Sequence, residues 1–211
     1  MQPKNNSDNQ VALPKRSFIE EARRAQIIES AIETLATEGF ARTSLARIAK
    51  RAGISAGVIS YHFAGKDELL EQIVVTIYTT GAHFMLPRIL AETSATGMLR
   101  AYIESNVEFI RDHPQQMLAL AEIFPNFRTK EGKLRYTVQE NEANLGGLET
   151  LLRQGQEAGE FRSFDVRVMA LTLRAAIDTI ASQKIAHPEL DLDVYAKELA
   201  TTFALAIHKN V

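Results

Sequence analysis

Thr43-Ser-Leu-Ala-Arg-Ile-Ala-Lys-Arg-Ala-Gly-Ile-Ser-Ala-Gly-Val-Ile-Ser-Tyr-His-Phe-Ala-Gly-Lys66 is the stretch whose reading decides the fold. Leu45, Ile48, Ala49 and Ala52 recur at spacings of three and four, which places them on one face of a short helix. Ser44 stands where a hydroxyl can accept a free N–H of the opening turn. Gly53 ends the helix, since glycine enters the left-handed region at little cost. Ile54 supplies an apolar plug and Ser55 stands at the cap of a second helix. In that helix Ile59 and Phe63 share the inward face, so Ala56, Gly57, Val58, Ser60 and Tyr61 face outward or sideways. Small residues at the start of an exposed helix allow close approach to a surface. The pattern is that of a helix-turn-helix, whose second helix presents its first residues to base edges in the major groove.

Upstream, residues 20–38 read as a helix with the apolar stripe Ile27, Ile28, Ala31, Ile32 and Leu35, stopped by Gly39, with Phe40 packing back. With the two motif helices it makes a three-helix unit. Residues 1–17 are polar, hold Pro3 and Pro14 and show no apolar period, so a disordered tail is expected. Lys15, Arg16, Arg23 and Arg24 are within reach of phosphates or the minor groove from that end. Downstream, Lys66 opens a longer helix with Leu69, Leu70, Ile73, Val74, Ile77 and Tyr78 in period, ended or kinked by Pro87.

The N-terminal unit resembles the DNA-binding domain of the tetracycline-repressor (TetR) family of bacterial transcriptional regulators. The matching residues are Gly39-Phe40, Thr43-Ser44, Ile48-Ala49, Ala52-Gly53-Ile54-Ser55, Gly57, Tyr61-His62-Phe63, and Lys66 followed by Leu69-Leu70. The likeness runs from about Ala22 to Tyr78. Ser60 departs from it, standing where the family usually has tyrosine, and the Ile59-Ser60 pair is similar to the betaine-synthesis repressor branch. The resemblance implies DNA contacts from Ser44, Ser55, Ala56, Val58, Tyr61, His62 and Lys66, with Arg42 and Arg47 beside them. Val58 is suited to a thymine methyl. Tyr61 and Lys66 would hold phosphates, which position a protein without reading sequence.

The chain has 211 residues and a net charge of −2. That total hides an asymmetry: residues 1–66 hold ten Lys and Arg against six acids, and the remainder holds 14 against 20. A basic end on an acidic body suits a protein that holds a polyanion at one end. There is no cysteine, so disulfides and thiolate metal sites are excluded. The longest apolar run, Met117 to Ala121, is too short to span a bilayer, and the first residues lack a signal-peptide core. A cytoplasmic protein with no membrane partner is the expectation.

The five histidines, His62, His83, His113, His187 and His208, lack metal-ligand spacing. No nucleophile elbow or phosphate-binding glycine loop occurs. The expectation is therefore a non-enzyme with neither cofactor nor metal.

Beyond residue 94 only helical periods occur. Met98 to Ile110 mark one helix, ended by His113-Pro114. Leu118, Ala121 and Phe124 mark a short one, ended by Pro125. A longer one is expected from about Thr129 to Gly159, with Leu134, Val138, Leu145, Leu148, Leu151 and Leu152 as its stripe. Asp165 caps the next, with Met169, Leu173, Ile177 and Ile180 inward and His187-Pro188 at its end. The last carries Tyr195, Leu199, Phe203 and Ala206. Small side chains are frequent in the last two helices, which suits close packing.

The fold class expected is all-α. A tail over 1–17 precedes a DNA-binding domain over 18–78, with its helix-turn-helix at 44–63. A long helix links it to an effector-binding and dimerisation domain over 79–211. The resemblance implies a homodimer through the last two helices, about 165–208, so the DNA operator would be roughly palindromic. It also implies a small-molecule effector, largely apolar, among the middle helices. His83, Phe84, Phe109, Met117, Phe124, Asn141, Asn144 and Arg174 are the candidates for holding it. Arg174 and Asp178, at i, i+4, can instead pair on the helix surface. The function implied is a ligand-responsive repressor, with an activator or a DNA-free scaffold of the same fold as alternatives.

Overall fold

The structure, a computed structural model, describes residues 17–136 and 142–209, the side chains of 142–144 excepted. Residues 1–16 of the expected tail, Val138 and Asn141 lie outside the described residues, as does the side chain of Asn144.

Ten α-helices follow one another among the described residues, with no named strand: α1 (Phe18–Glu38), α2 (Leu45–Ala52), α3 (Ala56–His62), α4 (Lys66–Leu90), α5 (Ala95–Asp112), α6 (Pro114–Asn126), α7 (Glu142–Glu157), α8 (Val166–Asp178), α9 (Ile180–Ala186) and α10 (Leu192–Ile207). A 3-10 turn, Phe40–Arg42, joins α1 to α2.

Ser44 and Gly53 act where the sequence places them, whereas Ser17, expected in the tail, caps a helix that starts at Phe18 rather than at residue 20. Ser17 caps α1 through a reciprocal bond: its hydroxyl accepts the Glu20 N–H and Glu20 accepts the Ser17 N–H. Ser44 accepts from Arg47 N–H at the start of α2. Gly53 closes α2 at φ +66°, the left-handed conformation that a Cβ disfavours.

Two apolar cores form. The first joins Ile27, Leu35, Ile48, Ile59, Phe63, Leu69, Ile73 and Ile77 with Phe109, Ala119, Ile123 and Phe127. It therefore extends past the three-helix unit: α6 lies against α1 and closes it. The second joins Leu99, Ile103, Leu148, Leu152, Leu173, Ile177, Phe203 and Ile207, from α5, α7, α8 and α10. The helix α4 is long and apolar enough to cross a bilayer by length and composition alone. Here its Leu69, Leu70, Ile73, Val74 and Ile77 are buried in the first core.

The structure corrects several expected elements. Residues 128–134 are not helical. Thr129 N–H donates to Lys133 O at 2.8 Å, Arg128 bridges Leu134, and Gly132 turns the chain at φ +79°. Leu134 is thus exposed, and the helix expected from Thr129 begins at Glu142. Pro87 and Pro125 lie within the last turns of α4 and α6 rather than ending them earlier. The α6 stripe is Ala119 and Ile123, one residue round from the expected Leu118 and from exposed Ala121. The helix expected from Asp165 to His187 is interrupted at Thr179, whose hydroxyl donates back to Ala176 O at 3.0 Å. The buried side of α10 is Leu192, Ala196, Ala200, Phe203 and Ile207, because alanines let α10 close on α5. Tyr195, Leu199 and Ala206 are only half-buried.

Candidate nucleic-acid interface and effector region

The motif helices form the site from below. Ile48, Ala49, Ile59 and Phe63 are buried and fix α2 and α3 on α1. In α3 only Ile59 is buried; Ala56, Gly57, Ser60 and Tyr61 are exposed and Val58 is half-buried. The outer surface of α3 is therefore small and polar at its start and aromatic at its end. Ser55 holds the cap position, yet its side chain makes no capping bond. Ser60 donates to Ala56 O at 3.3 Å.

Tyr61 is 74% exposed, and its hydroxyl donates to Glu20 Oε1 at 3.3 Å. Its ring meets the half-buried His62 edge-on at 5.0 Å. Bonds from Ser17 N–H, then from Tyr61, hold the Glu20 carboxyl below the usual carboxylate range.

Arg24 is buried beneath this pair, which corrects the expectation that it reaches phosphates. It donates to His62 O, the open carbonyl end of α3. It also lies 3.7 Å from Glu68 and 4.0 Å over the Phe63 ring. A buried guanidinium at a helix C-terminus satisfies a carbonyl and meets the negative end of the dipole. Its task is to lock α3 onto α1 and α4. No signal in the sequence separates Arg24 from its exposed neighbours except its position on the α1 stripe, three residues before Ile27.

Lys66 is similarly engaged. Its ammonium donates to Thr43 O at 2.7 Å and Phe40 O at 3.4 Å, and sits 4.4 Å over the Phe40 ring. Burial pushes its pKa down, opposed by Asp67. Lys66 thus ties the start of α4 to the turn before α2, with at most one N–H left for a phosphate.

A cationic group flanks the motif where α2 passes the end of α1. Arg47 donates to Glu38. Arg51 reaches Glu38 at 3.4 Å, Thr37 Oγ1 at 2.9 Å and Glu33 at 3.5 Å. Arg42 donates to Glu38 O at 2.8 Å. Arg47, Lys50, Arg51 and Glu38 line an open depression of about 510 Å³. Glu38 is pulled below its ordinary pKa by the Arg47 hydrogen bond first. Arg42, Ser44, Arg47, Ser55, Ala56 and Tyr61 are exposed, all within the N-terminal unit.

The effector candidates lie mainly against two cores, Phe84, Phe109, Met117 and Phe124 with the first. Phe84, Phe109 and His113 cluster, with His113 stacked on Phe109 at 4.2 Å and Phe84 5.7 Å from Phe109. Met117 and Phe124 pack against the first core, and Phe124 meets Tyr136. Arg174 is on α8, with Asp178, Tyr102 and Asn106. His83 is exposed. Four of the candidates thus share the first core, and Arg174 lies with Tyr102 beside the second. Tyr102 and Asn106 were missed because their spacing on α5 reads as ordinary core.

On the outer faces, Val168 and Leu171 of α8 and Val194 and Leu205 of α10 are exposed apolar side chains. The alanines expected to meet a second subunit divide: Ala170, Ala196 and Ala200 are buried within this chain, whereas Ala175 is exposed.

Residues 27–73 match the family model described as bacterial regulatory proteins, tetR family. Over 87 residues the chain is 41% identical to the HTH-type transcriptional regulator BetI 1 of Chromohalobacter salexigens, covering 41% of this chain and 43% of that protein. Over 99 residues it is 35% identical to BetI of Cronobacter sakazakii, covering 46% and 49%. The match thus spans less than half the length of these curated relatives. Likeness over nearly the whole chain comes from solved structures. The fatty acid degradation regulator FadR of Bacillus halodurans superimposes with a TM-score of 0.77 at 19% identity, over 92% of this chain and all of that one. The Bacillus subtilis FadR, solved with stearoyl-CoA, gives 0.74 at 22% identity, over 87% and 99%. At such identities these neighbours establish the fold of the body and nothing finer. The helix-turn-helix unit is thus similar to that of the tetR family of bacterial regulatory proteins, and the whole chain shares the fold of these solved regulators.

Proposed function

We propose that the protein is a DNA-binding transcriptional regulator that acts as a homodimer, represses from a two-fold-symmetric operator and is released by a small-molecule effector. The observation that carries this reading is the outer surface of α3. Ala56, Gly57, Ser60 and Tyr61 are exposed there, Val58 is half-buried, and Ser44, Arg42, Arg47 and Lys50 lie exposed on the same unit. A helix with small residues at its start and cations beside it enters a major groove without steric conflict, and its flanks reach phosphates. Val58 is the residue suited to a thymine methyl, Ser55 and Ala56 approach base edges, and Tyr61 holds backbone phosphate, with Lys66 offering the one N–H it has left.

The exposed Val168, Leu171, Val194 and Leu205 support pairing through α8 and α10. A two-fold pair sets two copies of α3 one helical turn apart on DNA. An effector lowers DNA affinity when it binds a body conformation in which that spacing is lost, and a coupling of about 1–3 kcal/mol is typical.

Selection of bound duplexes from a random-sequence library tests the reading. Recovered sites should share an inverted repeat, and the complex should contain two chains. A library that returns no enriched sequence would contradict it. An activator uses the same parts, and a reporter fused to the recovered site distinguishes the two by the sign of the change on deleting the protein.

A further inference from the structure

Arg174 stands apart among the effector candidates. It lies on α8, and its side chain is 24% exposed. One guanidinium nitrogen donates to Tyr102 Oη and to Asn106 Oδ1, both at 3.2 Å, so the cation is held against α5. Asn106 is itself fixed, since its amide donates to Tyr102 O at 2.7 Å. Two helices thus bring a guanidinium, an amide and a phenol together beside Ile103, Leu173 and Ile177, which have no exposed surface. The group is rich in donors and holds one carboxylate, Asp178.

The geometry of that carboxylate is informative. Both the Nε and a terminal nitrogen of Arg174 point at the same oxygen, Asp178 Oδ1, at 2.8 and 2.6 Å. A guanidinium paired at full strength uses two parallel bonds to two oxygens. Asp178 does not supply that pattern. It is 56% exposed and is the last residue of α8, where the helix dipole disfavours a negative charge. Burial works against the charge on Arg174, and Tyr102 with Asp178 outweighs it.

We propose that Arg174, with Tyr102 and Asn106, recognises the carboxylate of an amphipathic small-molecule effector, and that Asp178 holds the carboxylate's place until the ligand displaces it. The ligand's apolar part would enter by parting the packed faces of α5 and α8, where Ile103, Leu173 and Ile177 have no exposed surface. The inference rests on the proposed effector-responsive regulator, and it replaces a purely apolar effector with an anionic one.

Calorimetric titration of the full-length protein with decanoate, and with decanol as the same chain without charge, tests it. The wild type should bind decanoate at least about tenfold more tightly than decanol. Arg174→Gln should lose about tenfold or more for decanoate and little for decanol, and Arg174→Lys, which keeps charge but not the fork, should fall between. Asp178→Asn should bind decanoate more tightly than the wild type. A purely structural ion pair predicts the opposite for Asp178→Asn: a lower melting temperature with no gain in binding. That outcome overturns the proposal. So does a wild type that binds no decanoate, one that binds decanol equally, or an Arg174→Gln protein that binds decanoate undiminished. Loss of the wider regulator reading would be seen separately, as an absence of selective DNA binding.

Discussion

The Glu122 carboxylate on α6 accepts the backbone N–H of Phe40 at 2.7 Å, across 82 residues of chain. The carbonyl of the same residue accepts from Lys66 at the start of α4. Phe40 is therefore held from two sides, by the body and by the helix that leads into it. Gly39, at φ +78°, would bring a Cβ within 3.3 Å of Glu122, so the carboxylate lies close over the turn. Glu122→Ala should destabilise the protein by about 1.5–3 kcal/mol, the range for hydrogen bonds to charged groups. Urea denaturation reads this directly, and an unchanged midpoint would show that the contact carries no net stability.

Arg24 is the second test of the fold. Arg24→Ala strips a carbonyl cap from α3, the Glu68 contact and the cover over Phe63. A loss of about 2–3 kcal/mol is expected. Amide exchange should accelerate most in α3, since that helix has few other ties. Acceleration spread evenly over the chain would contradict a local role.

The helix-turn-helix could be read before the structure because its signals are local. Gly53 needs a left-handed backbone, Ser44 caps the next turn, and Ile48, Ile59 and Phe63 keep period. Tertiary choices were less legible. Leu134 extends the helical period of α7, yet Gly132 and the Thr129–Lys133 bond turn the chain there. Arg24 was expected at phosphates although its spacing puts it on the α1 stripe, because nothing local announces that His62 needs its guanidinium. Phe109 and Phe124 meet in one core, but their residue type alone says nothing of which helices bring them together.

Gly155 in α7 meets a packed aromatic. A Cβ there would stand 2.1 Å from Phe161, whose ring is 3% exposed and has no room to retreat. Gly155→Ala should cost about 1–3 kcal/mol through overpacking, despite alanine's higher helix propensity. Thermal melting checks it, and a stabilised variant would mean that α7 and Phe161 separate easily.

Glu160 predicts a pH dependence. Its carboxylate accepts the N–H groups of Thr96 and Ala95, each at 3.0 Å, capping the start of α5, and these bonds lower its pKa from 4.5. A lowered folded-state pKa gives stability that is present above about pH 4.5 and is lost as pH falls through the folded value. Glu160→Gln should therefore be less stable than the wild type at pH 7, and the difference should shrink on acidification toward pH 3. A difference independent of pH would assign the effect to packing rather than charge.

The central claim is most directly tested by fluorescence anisotropy of the purified protein on duplex DNA from its own upstream region, over a salt series, beside random DNA. The account predicts tight, sequence-selective binding that weakens steeply with salt, with a slope that counts the phosphates contacted. Tyr61→Ala should lower affinity for both duplexes by the same factor and change stability by less than about 0.5 kcal/mol, since the side chain is largely exposed. Equal, weak binding to both duplexes and to sites recovered by selection would contradict the account.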